Sequence, residues 1–155
     1  METVFELIPV AYLLAVSGPL IITDIREHRL PNKLVLPAIP VAFVSWLVLA
    51  ITLNEWGKFF IALLCGVGIF TLGLVANRFG SLGMGDAKLA FALLLVVGWF
   101  SWPLALLVPV VAVLFAMVSI AYLVFVRKVG MPQSIAFGPH LIIAFAFLLG
   151  IALVI

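Results

Sequence analysis

Apolar residues run along almost the whole of this chain in long stretches, and polar residues occur mainly in short clusters between them. Six apolar segments can be marked, at about 7–22, 34–53, 59–76, 85–102, 103–126 and 135–155. None shows the alternation of period two that is typical of strands in a membrane barrel. Their lengths approach the roughly 20 residues that a helix needs to cross the hydrocarbon. The pattern therefore predicts an all-α membrane protein with about six transmembrane helices in one polytopic bundle.

Composition supports the same conclusion, since 67% of the 155 residues are hydrophobic and only 9% are charged. A soluble domain carries about 25% charged residues, so this chain has too few charged residues to cover a globule in water. We therefore expect the lipid bilayer to be its partner and to surround it. The length predicts a single polytopic membrane domain over residues 1–155. A net charge of only +2 argues against nucleic acid as a partner, and one cysteine, Cys65, excludes a disulfide framework. The oligomeric state stays open.

Basic residues are distributed unevenly over the loops. Seven of the eight Lys and Arg residues lie in or beside three alternate loops: Arg26, Arg29, Lys33, Arg78, Lys88, Arg127 and Lys128. Six crossings put these loops on one face, which the positive-inside rule places in the cytoplasm. We therefore expect a multi-pass protein of the cytoplasmic (inner) membrane with both termini outside the cytoplasm. Near the opposite boundary lie three tryptophans that we expect to anchor the helices at the interface: Trp56, Trp99 and Trp102.

The two aspartates of the chain, Asp24 and Asp86, need an explanation because carboxylates beside hydrocarbon are costly to keep. Both are predicted to lie in cytoplasmic loops, at the ends of membrane segments. Position alone leaves two interpretations open. Asp24 could pair with Arg26 or Arg29 at the surface while Asp86 caps the fourth helix, or both carboxylates could face a wet cavity as functional groups.

Asp86 follows two glycines in the stretch Gly-Met-Gly-Asp at positions 83–86. Gly83 and Gly85 permit backbone conformations and close approaches that other residues do not. A carboxylate on such a loop could meet the extended backbone of a peptide substrate. The same three-residue pattern also occurs in ordinary turns, so it is weak by itself.

Three stretches together resemble the type IV prepilin peptidases, which are polytopic aspartyl proteases. The stretch GMGDAK at 83–88 is similar to the Gly-x-Gly-Asp motif of that family. The stretch DIREHRLPNKL at 24–34 is similar to its first aspartate motif, and IAFGPHL at 135–141 is similar to its Phe-Gly-Pro motif. The chain resembles the short form associated with tight-adherence pili, or an archaeal-type relative. We therefore expect it to lack the cytoplasmic domain with Cys-x-x-Cys motifs that larger members carry, and an N-methyltransferase activity is doubtful.

The resemblance implies an endopeptidase that removes the short basic leader of type IV prepilins or pseudopilins at the cytoplasmic membrane boundary. It implies that Asp24 and Asp86 form a catalytic dyad that activates water, without a cofactor and without a metal. Pro31 and Asn32 are expected to end the first loop and start the second helix, with Asn32 as its N-cap. The residues expected to support the motifs or position the substrate are Pro31, Asn32, Gly83, Gly85, Lys88, Gly138 and Pro139.

Two other functions stay open at this point. A presenilin-like general intramembrane protease shares the Gly-x-Gly-Asp pattern. A small transporter or structural membrane subunit could use the aspartates as ion-binding carboxylates. A carboxylate deep inside a membrane segment would favour the transporter, whereas Asp24 and Asp86 are both predicted to lie at one face.

Overall fold

The computed structural model describes residues 2–80, 82–126 and 136–154, and every regular element within these ranges is a helix. In chain order the helices are α1 (Glu2–Glu27), α2 (Asn32–Val35), α3 (Ala38–Leu53), α4 (Trp56–Arg78), α5 (Met84–Phe100), α6 (Trp102–Ala121) and α7 (Gly138–Ala152). A π-helical turn, Tyr122–Val126, continues α6. The prediction of an all-α membrane bundle is confirmed.

Within the described residues, four stretches are long and apolar enough to cross a membrane: Thr3–Glu27, Asn32–Leu53, Trp56–Arg78 and Trp102–Val126. Their outer faces expose large apolar side chains, among them Leu64 at 69% and Val118 at 67%. Exposed apolar surface on this scale is expected where lipid is the solvent. Helices α5 and α7 have only 17 and 15 residues, so a full crossing by each of them stays a prediction.

Helix α5 forms the centre of the bundle. It contacts all the other helices, and every residue from 92 to 99 is buried. A helix that is apolar around its whole circumference belongs in the interior of a larger assembly. This central position places the first turn of α5, and with it Asp86, among the ends of the surrounding helices.

Small residues bring α4 and α5 into close contact. A Cβ added to Gly73 would lie 2.7 Å from the Ala87 Cβ, and one added to Gly98 would lie 3.0 Å from the Ala62 Cα. Neither glycine can therefore be enlarged without separating the two backbones. Because helix association inside a bilayer depends on packing, contacts of this kind fix the position of α5.

The end of the bundle opposite the start of α5 is built from aromatic rings. Trp46 of α3 stacks on Trp99 of α5 with ring centroids 4.8 Å apart and an interplanar angle of 2°. The Trp46 indole N–H donates a hydrogen bond to the Leu95 carbonyl at 3.1 Å. The prediction of an interfacial Trp99 is wrong, because its ring is packed inside the bundle and only 4% exposed. Trp56 and Trp102 are exposed, as interfacial anchoring requires.

Two helix boundaries differ from the prediction. Helix α1 continues to Glu27, so Asp24 lies on a helix and not in a loop. The predicted segment 34–53 is interrupted after α2, and α3 begins directly after Pro37. Proline has no N–H with which to continue the preceding helix, which explains the break. The basic pair predicted between the last two segments, at positions 127 and 128, lies outside the described residues.

Candidate active site

Both aspartates line one cavity of about 440 Å³. It lies where the loop after α1 meets the first turn of α5, and we call it the polar cavity. Its lining comes from the end of α1, the loop and the start of α2 that follow it, and the start of α5: Asp24, His28, Arg29, Leu30, Asn32, Gly83, Met84, Gly85, Asp86 and Lys88. The fold thus brings together two carboxylates that are far apart in the sequence, and surrounds them with cationic side chains.

Asp24 is a buried carboxylate held by the backbone of another helix. Its side chain is 5% exposed, and its Oδ2 accepts a hydrogen bond from the Gly138 N–H at 2.9 Å. Helix α1 ends just beyond it, where the His28 N–H donates to the Asp24 carbonyl and His28 takes a left-handed φ of 49°. A pairing of Asp24 with Arg26 or Arg29 is absent among the described residues, where the salt bridge found is that of Lys58 with Glu55.

Gly138 is placed so close to this carboxylate that a side chain has no room. A Cβ added to Gly138 would lie 2.7 Å from the Asp24 Oδ2 and 3.2 Å from the Leu30 Cδ2. Glycine therefore allows the backbone N–H to reach Asp24 directly. Pro139 lies in the first turn of α7, where its missing N–H has no helical partner to lose.

Asp86 is the third residue of α5 and does not cap the helix with its side chain, because the N-cap is Gly83 and no side-chain cap hydrogen bond forms. Its Oδ1 is buried and lacks a hydrogen-bond partner among the described residues. Leaving a buried polar atom unpaired costs about 1–3 kcal/mol, and such atoms in native proteins call for an explanation. The unpaired oxygen belongs to a residue that lines the polar cavity.

The two glycines before Asp86 provide space for close contacts. Gly83 has an ordinary extended backbone, with φ −69° and ψ 142°, so its conformation does not require glycine. A Cβ on Gly83 would lie 3.0 Å from the Asp86 Oδ2, and one on Gly85 would lie 3.1 Å from the Leu30 Cβ. Both distances are tight, so a side chain at either position would press on the site.

Leu30 is a part of the site that motif analysis missed. This loop residue packs against both Gly85 of α5 and Gly138 of α7. It therefore fills the space that the two glycines leave, and it joins the three segments that carry the motifs. The signal available in the sequence was a lone apolar residue inside a charged loop.

Lys88 and Asn32 are paired across the edge of the polar cavity. The Lys88 Nζ donates a hydrogen bond to the Asn32 Oδ1 at 3.2 Å. The prediction that Pro31 and Asn32 start the second helix is correct, since α2 begins at Asn32. The prediction that Asn32 is the N-cap is wrong, because Pro31 holds that position and no side chain caps the helix. The Lys88–Asn32 hydrogen bond instead links α2 to α5.

His140 is a second residue that the sequence analysis left without a role. Its Nε2 lies 2.9 Å from the Ser119 Oγ of α6, and its Nδ1 lies 3.0 Å from the Ala136 carbonyl oxygen. These contacts fix the start of α7, and with it the Gly138 N–H, against α6. The sequence gives no sign of the pair, because only the fold brings Ser119 to His140.

Two carboxylates in one cavity are suited to acid–base chemistry on a bound molecule. Two carboxylates in one cavity resist joint ionisation, so one can hold a proton while the other accepts one. A positioned acid–base pair contributes about 10²–10⁴-fold to a rate. In the described part of the chain, no group of three or more His, Cys, Asp or Glu side chains could hold a metal ion.

Comparison with known proteins gives one match. A family model described as the type IV leader peptidase family matches residues 11–120. The matched region is more than two thirds of the chain and includes both aspartates of the polar cavity. Neither the curated proteins nor the solved structures gave a match.

Proposed function

This chain belongs to the type IV leader peptidase family and is a peptidase, and we propose that it works through an aspartyl dyad of Asp24 and Asp86. Its substrates are type IV prepilins or pseudopilins, from which it removes the short basic leader. The observation that carries the proposal is that both aspartates line one polar cavity. Family membership supplies the reaction class, and the cavity supplies the pair of groups that can perform it.

The reaction takes place at the cytoplasmic boundary of the inner membrane. The loop between α1 and α2 and the turn that leads into α5 both line the polar cavity, so they share one end of the bundle. Arg29 lies in the loop after α1, and the flanking helix ends carry Arg26, Lys33 and Lys88. Loops and helix ends rich in Lys and Arg stay in the cytoplasm. A leader that remains in the cytoplasm reaches the dyad from this side.

The surroundings of the two carboxylates support different roles for them. The Asp24 Oδ2 already accepts a hydrogen bond from the Gly138 N–H, which suits a carboxylate that accepts a proton from water. The Asp86 Oδ1 is buried without a partner among the described residues. A neutral carboxyl is less costly than a carboxylate in that position, which suits a group that holds a proton and donates it.

In the proposed reaction, the Asp86 carboxyl donates its proton to the oxygen of the scissile carbonyl. Asp24 accepts a proton from a water molecule, whose oxygen attacks the carbonyl carbon and forms a neutral gem-diol. Asp24 then passes its proton to the leaving nitrogen as the C–N bond breaks. Asp86 regains a proton from one hydroxyl of the diol, and the products are a carboxylic acid and a free amine.

The test replaces each aspartate by asparagine and measures cleavage of a co-expressed prepilin as a mobility shift. Asparagine keeps the size of the side chain but can neither accept nor hold the proton, so Asp24→Asn and Asp86→Asn should each reduce cleavage by about 10²–10⁴-fold. The double variant should be no worse than either single one, because the two groups act as a unit.

The matched control is Glu27→Gln, which removes an exposed carboxylate next to the same loop but outside the polar cavity. It should cleave like the unmodified enzyme, and all variants should reach the membrane in equal amounts. Normal cleavage by either asparagine variant at normal abundance would contradict the dyad.

A further inference from the structure

A polar pair, Ser119 of α6 and His140 of α7, lies next to the segment that brings the Gly138 N–H to Asp24. The Ser119 Oγ and the His140 Nε2 are 2.9 Å apart, and the other ring nitrogen, Nδ1, is 3.0 Å from the Ala136 carbonyl oxygen. Both side chains are half-buried. The ring therefore contacts two places at once, helix α6 and the chain just before α7.

The partners of the ring determine where its hydrogens lie. A carbonyl oxygen can only accept, so the His140 Nδ1 carries a hydrogen and donates it to Ala136. A hydroxyl can donate or accept, and the Ser119 Oγ also lies 2.9 Å from the Phe115 carbonyl oxygen. Ser119 therefore donates to Nε2 when the ring is neutral, and accepts from Nε2 while donating to Phe115 when the ring is protonated. The link between α6 and α7 persists in both states of the ring.

The hydrogen bond from Nδ1 to Ala136 closes the chain around Gly138. Ala136 lies two residues before Gly138 and His140 lies two residues after it, so the ring holds both flanks of this glycine. Gly138 is the first residue of α7, where a backbone N–H has no acceptor within the helix, and its N–H donates to the Asp24 Oδ2 at 2.9 Å. The next residue, Pro139, has no N–H to offer. The direction of the Gly138 N–H therefore determines how α7 holds Asp24.

We propose that His140 is a positioning residue for Asp24 and that Ser119 anchors its ring to α6. By holding the chain on both sides of Gly138, the ring directs the Gly138 N–H at the Asp24 Oδ2. The first turn of a helix also carries a partial positive charge, so the position of α7 sets the electrostatic field at this carboxylate as well as its hydrogen bond. This inference rests on the proposed function, because the position of Asp24 affects the rate only if Asp24 takes part in cleavage.

The first measurement is kcat and KM on a prepilin for His140→Leu and His140→Asn, purified in detergent. Leucine removes both contacts of the ring, whereas the amide nitrogen of asparagine takes the place of Nδ1 and can still donate to Ala136. His140→Leu should lower kcat by about ten- to a hundredfold and keep KM within about twofold, since a displacement of up to about 1 Å in a positioned site has such a cost. His140→Asn should stay within about fivefold of the unmodified enzyme, because it keeps the contact that closes the chain around Gly138.

A contact that serves only stability gives a different result. It would lower the amount of folded enzyme and leave kcat per folded enzyme unchanged. An unchanged kcat in folded His140→Leu, or equal losses in His140→Leu and His140→Asn, would overturn the inference.

The second measurement removes the anchor with Ser119→Ala and uses Ser17→Ala as the matched control. Ser17 is also half-buried and also donates to the carbonyl one turn earlier, that of Leu13, at 2.7 Å, but it lies on α1. Ser119→Ala should lower kcat by about three- to tenfold, as the loss of one neutral hydrogen bond does, while Ser17→Ala should stay within about twofold. Adding Ser119→Ala to His140→Leu should cause no further loss, because the two residues act as a unit. Equal effects of the two serine variants, or a double variant whose loss is the product of the single losses, would overturn the inference.

A spectroscopic measurement tests the contacts of the ring without cleavage. The chain has two histidines, His28 and His140, so nitrogen NMR of enzyme labelled at histidine detects two rings, and His28→Gln assigns them. At a pH at which both rings are neutral, His140 should carry its hydrogen on Nδ1. Ser119→Ala should shift the His140 Nε2 signal and leave the His28 signals in place. A neutral His140 with its hydrogen on Nε2 would overturn the inference.

The dyad and the positioning role can fail separately. If Asp24→Asn loses cleavage and folded His140→Leu keeps it, the dyad stands and the positioning role is overturned. If Asp24→Asn cleaves normally, the dyad is overturned and His140 has no catalytic group to position, whatever the NMR signals show. If His140→Leu does not fold, the smaller changes Ser119→Ala and His140→Asn decide the question.

Discussion

Stacked rings close one end of the bundle, whereas two carboxylates line an open cavity at the other. At the aromatic end, defined by Trp46 and Trp99, the Trp46 ring is fully buried and its N–H is bonded to a backbone carbonyl. At the aspartate end, defined by Asp24 and Asp86, a buried carboxylate oxygen lacks a partner among the described residues. Helix α5 reaches both ends, since it begins beside Asp86 and finishes beside Trp99.

The two ends of the bundle contribute to different properties of the protein, one to its stability and the other to its chemistry. Buried aromatic rings with satisfied hydrogen bonds contribute packing free energy and resist replacement. A buried oxygen without a hydrogen-bond partner costs free energy in the folded state, and an unpaired group of this kind is often explained by a functional role. We therefore expect changes at the aromatic end to alter the free energy of unfolding, and changes at the aspartate end to alter the rate of cleavage.

The largest effect is expected from Trp46→Ala. Removing a fully buried large ring leaves a cavity and breaks the stack with Trp99, which should lower the free energy of unfolding by about 3–5 kcal/mol. The measurement is chemical or thermal unfolding in detergent, together with the cleavage rate per folded enzyme. That rate should change little, because the polar cavity is at the other end.

Trp102→Ala is the control for this prediction, because that tryptophan is 53% exposed at the start of α6. Its replacement should change the free energy of unfolding by less than about 1 kcal/mol. If Trp46→Ala instead leaves the free energy of unfolding unchanged and lowers the cleavage rate, the claim that the aromatic end serves stability and the aspartate end serves cleavage is contradicted.

The second largest effect, a loss of cleavage rate, is expected from Gly138→Ala at the aspartate end. The new Cβ would lie 2.7 Å from the Asp24 Oδ2, so the carboxylate must move and its hydrogen bond from the Gly138 N–H weakens. A displacement of about 1 Å in a positioned site costs on the order of a hundredfold in rate. Cleavage should therefore fall by about that factor while the unfolding transition stays close to that of the unmodified enzyme.

Gly150→Ala is a matched control on the same helix, because nothing lies within 4 Å of a Cβ added there. It should leave cleavage unchanged, and alanine in place of glycine favours the helix. Equal loss of cleavage in both variants would show that α7 tolerates no added methyl group, and that the contact with Asp24 is not the cause.

The length of the apolar runs predicted the fold well, because a helix that crosses lipid needs about 20 apolar residues. Continuous apolar runs and loop charges located the helices, including the short α5, which is largely buried. The break before α3 was less clear, since Pro37 and Pro40 are tolerated in the first turn of a helix. The misplaced Trp99 has a similar cause: the sequence shows a tryptophan near a helix end, but only packing decides whether it faces lipid or the stacked Trp46.

The polar cavity was predictable in part. Asp24 and Asp86 were found because carboxylates stand out in an apolar chain, and they line one cavity together with the two glycines that precede Asp86. Gly138 was singled out by the resemblance to a known family, and its N–H reaches Asp24. The contacts between them were not predictable, since each depends on residues distant in sequence, such as the Gly138 N–H on Asp24. Leu30 shows only a weak signal, as a lone apolar residue in a charged loop, and His140 shows none, because their roles come from neighbours that only the fold supplies.

The smallest expected effect on the cleavage rate comes from a lysine, and it can be tested by comparing two lysines, one at each end of the bundle. Lys58 at the aromatic end forms a salt bridge with Glu55 at 3.1 Å, and Lys88 at the aspartate end hydrogen-bonds Asn32 beside the two carboxylates. Partly exposed charges of this kind are worth up to about 1 kcal/mol, which corresponds to less than about tenfold in rate. Lys88→Met should therefore lower cleavage by about two- to fivefold.

Lys58→Met removes the same charge at the other end and should leave cleavage unchanged. The advantage of the unmodified enzyme over Lys88→Met should shrink as salt is raised from low to high concentration, because ions screen exposed charges. Lys88→Arg keeps the charge and should recover most of the lost rate. If Lys88→Met instead lost as much cleavage rate as Asp86→Asn, and if that loss did not depend on salt, Lys88 would take part in the chemical step. Salt does not screen a proton transfer between groups inside the site.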